Sequence, residues 1–228
     1  MLVSSNTEWK ALKAILTDVD LQQTPFGEMF NHLVGARDVL FFHGGWGKVS
    51  AAATSQYVID HYQPGLLVNL ATAGGFRGHA AVGEVVCVTE ALIYDIIEQM
   101  SDPQEAIDFY RSELDLTWLD RAWLPGVSFD RIVSADRDIL AEEVPTLHER
   151  FGARVGDWES APIAWVAGRN KQRLLILRGV TDLVGLGGGE VYDNMPHYEE
   201  RTVMVMEKLL GLLGGMLAAP GFGETFSD

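Results

Sequence analysis

Three acidic residues of this 228-residue chain stand where predicted secondary-structure elements begin or end. Glu8 follows a short apolar segment at the N-terminus, Glu159 opens a predicted helix, and Asp182 follows a predicted buried strand. Positions of this kind lie at the edge of an α/β sheet where such sheets bind their ligands. Carboxylates that meet beside a pocket can act as general acid, general base and electrostatic stabiliser, so the set predicts an acid/base site.

Each of these acids also has a structural interpretation. Ser5 to Glu8 has the pattern of a capping box, in which the glutamate only closes a helix start. Glu159 in a first helical turn is favoured by the helix dipole, and Asp182 could cap a helix or pair with Arg178. Taken singly, each acid is better explained by its structural role. Taken together beside glycine-rich segments, the three acids favour catalysis.

Two segments rich in small residues would let a ligand approach the backbone. Gly44–Lys48 joins a predicted strand to a helix N-terminus, where backbone N–H groups can hold an anion. A tight turn is nevertheless the preferred explanation of that segment. Ala71–Gly75 ends a predicted buried strand in a loop, and there a ligand site and a simple turn are equally favoured.

Metal and nucleophile chemistry find no support in the sequence. The six histidines never occur three or four residues apart, and no carboxylate pair has an obvious spacing for a hard cation. Cys87 falls within a predicted strand, where a buried inert thiol is expected, and the chain contains no G-x-S-x-G. We therefore expect neither a metal nor a cofactor.

Composition excludes several classes of partner. The chain carries 17 lysines and arginines against 32 acidic residues, a formal charge of −15, which argues against nucleic acid and against an anionic membrane. A single cysteine excludes an intramolecular disulfide and fits a reducing compartment. The N-terminus turns polar after three residues, and the most apolar tract, Leu209–Phe222, is broken by Gly and Pro. A soluble, cytoplasmic protein is expected.

The order of elements predicts an α/β fold. Short apolar runs typical of buried strands alternate with helical patterns: strands at Asp38–His43, Leu66–Ala71, Val82–Thr89, Arg131–Ser134 and Leu174–Val180, and helices from Val49, over Ile139–Phe151 with a bend at Pro145, over Glu159–Ala167 and over Glu199–Leu217. This alternation indicates a layered sandwich around a mostly parallel sheet, in a single domain spanning residues 1–228. Gly185–Gly189 is expected to be a flexible loop.

Five segments resemble, in order and spacing, those of 5′-methylthioadenosine/S-adenosylhomocysteine nucleosidases, within the purine nucleoside phosphorylase/hydrolase superfamily. They are Gly45–Ala52 (similar to G-I-G-K-V-x-A-A), Asn69–Gly75 (N-x-G-[ST]-A-G-G), Val82–Val86 (V-G-D-[IV]-V), Trp158–Ala164 (M-E-[AG]-x-A-[IV]-A) and Arg178–Asp182 (R-[AG]-[IV]-S-D). The resemblance implies a three-layer α/β/α sandwich with a mixed, mostly parallel central sheet. It also implies a homodimer and a role in methionine salvage.

The resemblance further implies hydrolysis of the N-glycosidic bond of a purine nucleoside. Asp182 would be the general acid that protonates the leaving purine, and Glu8 would orient or deprotonate the attacking water. Glu159 would accept hydrogen bonds from the ribose hydroxyls and stabilise a positively charged sugar. The remaining substrate-binding positions implied by the motifs are Thr72, Ala73, Gly74, Trp158 and Asp138.

Several positions depart from the family pattern. Trp158 replaces a methionine, and Asp138 stands where an aromatic residue stacks on adenine, so the base and the 5′-substituent stay open. Phosphorylases of the superfamily carry an arginine at the position of Asn69. Its absence from this chain favours water as the nucleophile. Arg77 and Lys48 leave a phosphorolytic enzyme as an alternative. A catalytically silent nucleoside-binding protein is the other alternative.

Overall fold

A computed structural model describes residues 1–223 of the chain. The strands of these residues join in one sheet: β1 (Leu2–Val3), β2 (Gln22–Gln23), β3 (Glu28–Val34), β4 (Arg37–His43), β5 (Leu67–Phe76), β6 (Val85–Ile93), β7 (Ser112–Glu113), β8 (Ser128–Ser134), β9 (Ala153–Asp157), β10 (Leu174–Gly185) and β11 (Gly188–Gly189). The α-helices are α1 (Asn6–Ile15), α2 (Gly47–Tyr62), α3 (Pro103–Phe109), α4 (Val144–Phe151), α5 (Ser160–Arg169) and α6 (Met195–Ala218).

The middle of the sheet closes on itself. β5 pairs with β10, β10 with β6, β6 with β8, β8 with β9, and β9 again with β5. Strands β1, β4, β3 and β2 extend from the other edge of β5. The α/β class is therefore confirmed, whereas the expected three-layer sandwich is corrected to a barrel-like sheet with an extension. Closure is possible because β5 has ten residues and β10 has twelve, so each strand is long enough to pair with different neighbours along its length.

The sheet is mixed, as predicted, and among residues 1–223 its longest ladders are parallel. β5–β10, β6–β8, β8–β9, β1–β4 and β1–β5 are parallel. The pairings β2–β3, β3–β4, β5–β9, β6–β7, β6–β10 and β10–β11 are antiparallel. The longest ladder, β5–β10, is parallel and lies at the centre of the fold, where both strands are buried on both faces.

Gly74 and Gly75 lie inside β5, so the predicted loop at Ala71–Gly75 is wrong. A Cβ on Gly75 would lie 2.7 Å from Val180 Cγ1 and 2.9 Å from Leu183 Cδ2, both on β10. The glycine therefore serves a close approach of two strands rather than a turn.

The C-terminal helices also begin earlier or later than the sequence pattern indicates. Pro145 occupies the first turn of α4, where a missing N–H costs nothing, so it starts that helix instead of bending a longer one. α6 begins at Met195 rather than at Glu199. Among residues 1–223, no helix is long and apolar enough to cross a bilayer.

Candidate active site

A cavity of about 440 Å³ opens between the carboxyl-terminal half of β5, β10 and the loops that follow β1, β8 and β9. All the site residues predicted from the sequence line it: Glu8, Thr72, Ala73, Gly74, Asp138, Trp158, Glu159 and Asp182. The structure thus brings together side chains from five separate stretches of the chain. Their chemical roles remain predictions.

Glu8 is both a helix cap and a residue of the cavity wall. Its Oε2 accepts a hydrogen bond from Ser5 N at 3.0 Å, which completes the capping box of α1. Its Oε1 accepts from Thr72 N at 2.6 Å and from Thr72 Oγ1 at 2.7 Å. The carboxylate is therefore buried and fixed at the junction of α1 and β5, and its capping role does not remove it from the cavity wall.

Glu159 is held by a backbone N–H of a distant segment. It stands at the N-cap of α5, but its side chain makes no capping bond; Asp157 accepts from Ser160 N at 3.0 Å instead. Glu159 Oε1 accepts from Gly47 N at 3.0 Å. Gly47 has a φ of +82°, a conformation that glycine adopts without strain, and its N–H is directed at Glu159.

The helix N-terminus at Gly44–Lys48 does bind carboxyl groups, but they belong to side chains of the chain itself. Gly47 N binds Glu159, and Lys48 N donates to Asp136 Oδ1 at 2.8 Å. The sequence had offered two explanations of this segment, an anion-binding site for a ligand and a tight turn. The segment is a turn that positions a cavity carboxylate.

The environment of Glu159 favours its protonated form. Burial, followed by the nearby negative charges of Asp157 and Glu8, raises the pKa of the Glu159 carboxyl to about 8. The single hydrogen bond from Gly47 opposes this shift but does not cancel it. Glu159 consequently changes charge close to neutral pH.

Asp182 lies within β10, not after it, at an irregularity of the strand. The β5–β10 register shifts between Val180 and Asp182, so that Val180 pairs with Ala73 and Asp182 with Gly74. Such a bulge re-aims a side chain, and here it directs Asp182 into the cavity. Burial raises the pKa of the Asp182 carboxyl. The hydrogen bond from Thr181 Oγ1 to Oδ1, at 3.0 Å, lowers it by less than burial raises it. The other oxygen, Oδ2, is buried and has no partner among the described residues.

The alternative that Asp182 pairs with Arg178 is wrong, and Asp182 caps no helix among the described residues. Arg178 is fully buried, and its Nε donates to Asp157 Oδ2 at 2.7 Å. Its Nη2 donates to Asn69 Oδ1 at 2.5 Å. Asn69 therefore lies behind the cavity rather than in its wall.

Two tryptophans form one side of the cavity. The rings of Trp46 and Trp158 lie 5.2 Å apart, centroid to centroid, with a tilt of 31°. Trp46 was missed in the sequence because it sits in a glycine-rich turn that reads as a loop. Asp138 lies at the rim and is exposed, so it has the freedom to contact a bound base.

Other lining residues were missed because they belong to the start of α6 and the segment before it. Val191, Tyr192 and Asp193 line the cavity, together with Met195 and Tyr198 from the first turns of the helix. Asn194 caps α6, and asparagine is a usual N-cap residue. A helix predicted to start there would have placed Met195 and Tyr198, three residues apart, on one face.

Cations are scarce around the cavity. Lys48 Nζ lies 2.6 Å from Asp95 Oδ1, Arg77 Nη2 lies 2.8 Å from Glu190 Oε1, and neither residue lines the cavity. Among the described lining residues, Arg137 is the basic one, and it pairs with Glu143 at 2.8 Å. The walls also carry six acids: Glu8, Asp138, Asp157, Glu159, Asp182 and Asp193.

Metal and thiol chemistry have no site in residues 1–223. No group of three or more His, Cys, Asp or Glu side chains in that range is arranged to hold a metal ion. Cys87 is buried in β6, and burial raises the pKa of its thiol to about 12. The expectation of a buried, inert thiol therefore fits its surroundings.

Replacement of Glu159 by Gln should change how stability depends on pH. In the wild type the unfolded state loses the Glu159 proton from about pH 4.5 upward, whereas the folded state keeps it until about pH 8. The free energy of unfolding of wild type should therefore fall relative to Glu159→Gln as pH rises through this window, and the difference should level off above it. Urea unfolding from pH 5 to 9 measures this difference, with Glu199→Gln on the exposed side of α6 as control. A difference that is constant across the window would contradict the raised pKa.

Comparison with known proteins places the chain in a family. The sequence profile of the phosphorylase superfamily matches residues 2–211. The 5′-methylthioadenosine/S-adenosylhomocysteine nucleosidase of Haemophilus ducreyi is 26% identical over 226 residues, which cover 92% of this chain and 93% of that protein. The nucleosidase of the same name from Bacillus subtilis is 26% identical over 161 residues, 65% of this chain and 69% of that protein.

Solved structures share the fold. Arabidopsis thaliana 5′-methylthioadenosine nucleosidase in its apo form superposes with a TM-score of 0.78 at 18% identity, over 96% of this chain and 95% of that one. The Streptococcus pneumoniae 5′-methylthioadenosine/S-adenosylhomocysteine nucleosidase with the transition-state inhibitor MT-ImmA gives 0.74 at 18% identity, over 96% and 99%. With the profile match over most of its length, the chain belongs to the phosphorylase superfamily, and within it resembles the 5′-methylthioadenosine/S-adenosylhomocysteine nucleosidases.

Proposed function

We propose that this chain is a nucleosidase that hydrolyses the N-glycosidic bond of a purine nucleoside, such as 5′-methylthioadenosine or S-adenosylhomocysteine, and releases the free base. The observation that carries the proposal is the convergence of three buried carboxylates, Glu8, Glu159 and Asp182, on one cavity. The names of the similar proteins support the choice of substrate class.

Asp182 is the general acid in this mechanism. A purine leaves the sugar more readily when its N7 takes a proton, and the raised pKa of Asp182 increases the fraction of carboxyl that can supply one near neutral pH. The Thr181 hydroxyl donates to Oδ1, and the buried Oδ2 has no partner among the described residues, so no group of the chain competes for the proton of this carboxyl. The bulge at Thr181 sets the direction in which that proton is offered.

Glu159 stabilises the sugar as it becomes positive. With a pKa of about 8, the Glu159 carboxyl is partly ionised near neutral pH, and it can accept hydrogen bonds from the ribose hydroxyls. As the C–N bond breaks, the ionised carboxylate attracts the positive charge that develops on the sugar. The interaction is therefore stronger in the transition state than in the ground state, which is what catalysis requires.

Glu8 and Thr72 hold the attacking water. Both oxygens of Glu8 already accept bonds from the chain, which fix the carboxylate while leaving further lone pairs toward the cavity. The Thr72 hydroxyl lies 3.2 Å from Tyr198 Oη, so a residue of α6 supports the same group. A fixed carboxylate can orient a water and accept its proton without a search through rotamers.

The remaining lining residues bind the substrate. Ala73 and Gly74 present a nearly flat strand surface to the ribose, and Trp158 covers the sugar beside Glu159. Asp138 at the rim accepts a hydrogen bond from a donor on the base, a contact that a stacking aromatic residue cannot make. The homodimer implied by the family resemblance and the single domain indicated by the order of elements stay predictions.

Water rather than phosphate is the nucleophile. Phosphorolysis needs cations or other donors around a dianion, and neither Arg77 nor Lys48 reaches the cavity. Glu8 would instead place a negative charge beside the phosphate. In a desolvated site such repulsion costs on the order of several kcal/mol.

Nucleoside cleavage in phosphate-free buffer tests the proposed function. A panel of purine nucleosides that includes 5′-methylthioadenosine and S-adenosylhomocysteine should yield free base and free sugar, identified by chromatography, at a rate that added phosphate does not raise. Base release that depends on phosphate, with a sugar 1-phosphate as product, would assign a phosphorylase. No base release from any nucleoside that binds would assign a silent binding protein.

Asp182→Asn should abolish turnover while the protein stays folded. The amide keeps the shape of the side chain but cannot deliver a proton, so kcat should fall by about 10²–10⁴-fold, the usual contribution of a general acid. Circular dichroism and nucleoside binding serve as controls, because neither requires proton transfer. An Asp182→Asn variant with the wild-type rate would remove Asp182 from the mechanism.

A further inference from the structure

The segment that links β10 to α6 forms one wall of the cavity. Val191, Tyr192 and Asp193 line the cavity from this segment. It starts with the glycine-rich run Gly185–Gly189, in which Gly188 and Gly189 pair back onto β10 as β11, and Leu186 is fully exposed. The expectation of a flexible loop there is therefore only partly met, since a short hairpin folds the run against the strand.

Glu190 ties this segment to two other elements. Its Oε1 lies 2.8 Å from Arg77 Nη2, just past the end of β5, and its Oε2 lies 2.9 Å from Arg201 Nη1 on α6. A Cβ on Gly185 would lie 2.9 Å from both Cβ and Cδ of Arg77, so the arginine side chain lies flat across the end of β10. Arg201 Nη1 also donates to Thr181 O at 2.8 Å, directly before Asp182.

We propose that Glu190 is a positioning residue of the reaction: by bridging Arg77 and Arg201 it holds the wall at residues 191–193 in place beside Asp182. The inference deepens the proposed nucleosidase function and rests on it. Glu190 does not line the cavity, so it acts through the residues it holds and not by contact with substrate.

The bridge joins substrate enclosure to the placement of the general acid. One guanidinium, that of Arg201, binds both Glu190 and the carbonyl of the bulge residue Thr181. A shift of the wall therefore changes the contact that steadies the strand next to Asp182. Among residues 186–194, Glu190 is the residue whose side chain forms ion pairs with Arg77, next to β5, and with Arg201 on α6. Glycines precede it, and Asn194 after it caps α6.

Charges around Asp182 support the same conclusion. Glu190 and Asp138 raise the pKa of Asp182, Arg201 lowers it, and Tyr192 lies close enough for its own pKa to be raised by Asp182. Removing the charge of Glu190 leaves Arg201 without its counterion. The pKa of Asp182 should then fall, and with it the upper pH at which the acid still carries its proton.

The test compares Glu190→Gln, Glu190→Asp and the control Glu199→Gln. Glu190→Gln should raise KM about fivefold, the scale of losing partly exposed ion pairs, and should move the alkaline limb of kcat/KM to lower pH. Glu190→Asp keeps the charge and should restore the alkaline limb while KM stays raised. Glu199→Gln removes an exposed carboxylate of α6, which pairs with Lys10 of α1, and this variant should match the wild type.

Hydrogen exchange of residues 186–194 supplies a readout that needs no activity. Exchange should accelerate in Glu190→Gln and stay unchanged in Glu199→Gln. Unchanged exchange in Glu190→Gln would overturn the proposal, and so would faster exchange with an unmoved pH limb, because Glu190 would then be only structural. A wild-type protein that cleaves no nucleoside would overturn the proposed function, while the exchange experiment would still test the bridge.

Discussion

Arg178 and Asp157 form an ion pair that is screened from solvent at the base of the cavity, with Asn69 accepting a further hydrogen bond from the guanidinium. A buried pair is tolerated only when its geometry and its other hydrogen bonds are nearly complete, so it strongly restricts how its strands can be placed. Asp157 ends β9 two residues before Glu159, and Arg178 lies on β10 four residues before Asp182. The pair therefore fixes the relative positions of the two acids that act on opposite ends of the scissile bond in the proposed mechanism.

The acids of this region differ in how many hydrogen-bond donors surround their carboxyl groups. Asp157 has a guanidinium, two serine hydroxyls and a backbone N–H as donors. Glu159 has one backbone N–H, and Asp182 has one hydroxyl. Burial consequently raises the pKa of both carboxyls, that of Glu159 to about 8, and so favours their protonated forms. A cavity with these acids and few cations suits a neutral nucleoside whose sugar becomes positive, and is unsuited to a phosphate nucleophile.

The sequence predicted the residues of the candidate site better than it predicted the pairing of the strands. Short motifs carry the acids and the small residues, and these end up around one cavity. Closure of the sheet depends on pairings between distant strands, and Gly74 and Gly75, which favour a loop locally, serve there as points of close approach. The expected pairing of Arg178 with Asp182 illustrates the same limit. In a regular strand, residues four apart share a face, but the bulge at Thr181 places the two side chains apart, and no local pattern signals that bulge.

The central claim is that Asp182 holds a proton at a pH where an ordinary aspartate has lost it. Carbon-13 NMR of aspartate carboxyls, with the Asp182 signal assigned by its loss in Asp182→Asn, measures that protonation directly as the pH is varied. The buried position of the carboxyl predicts a titration midpoint above the ordinary value of about 3.9. A midpoint at or below the ordinary value would contradict the assignment of Asp182 as the general acid.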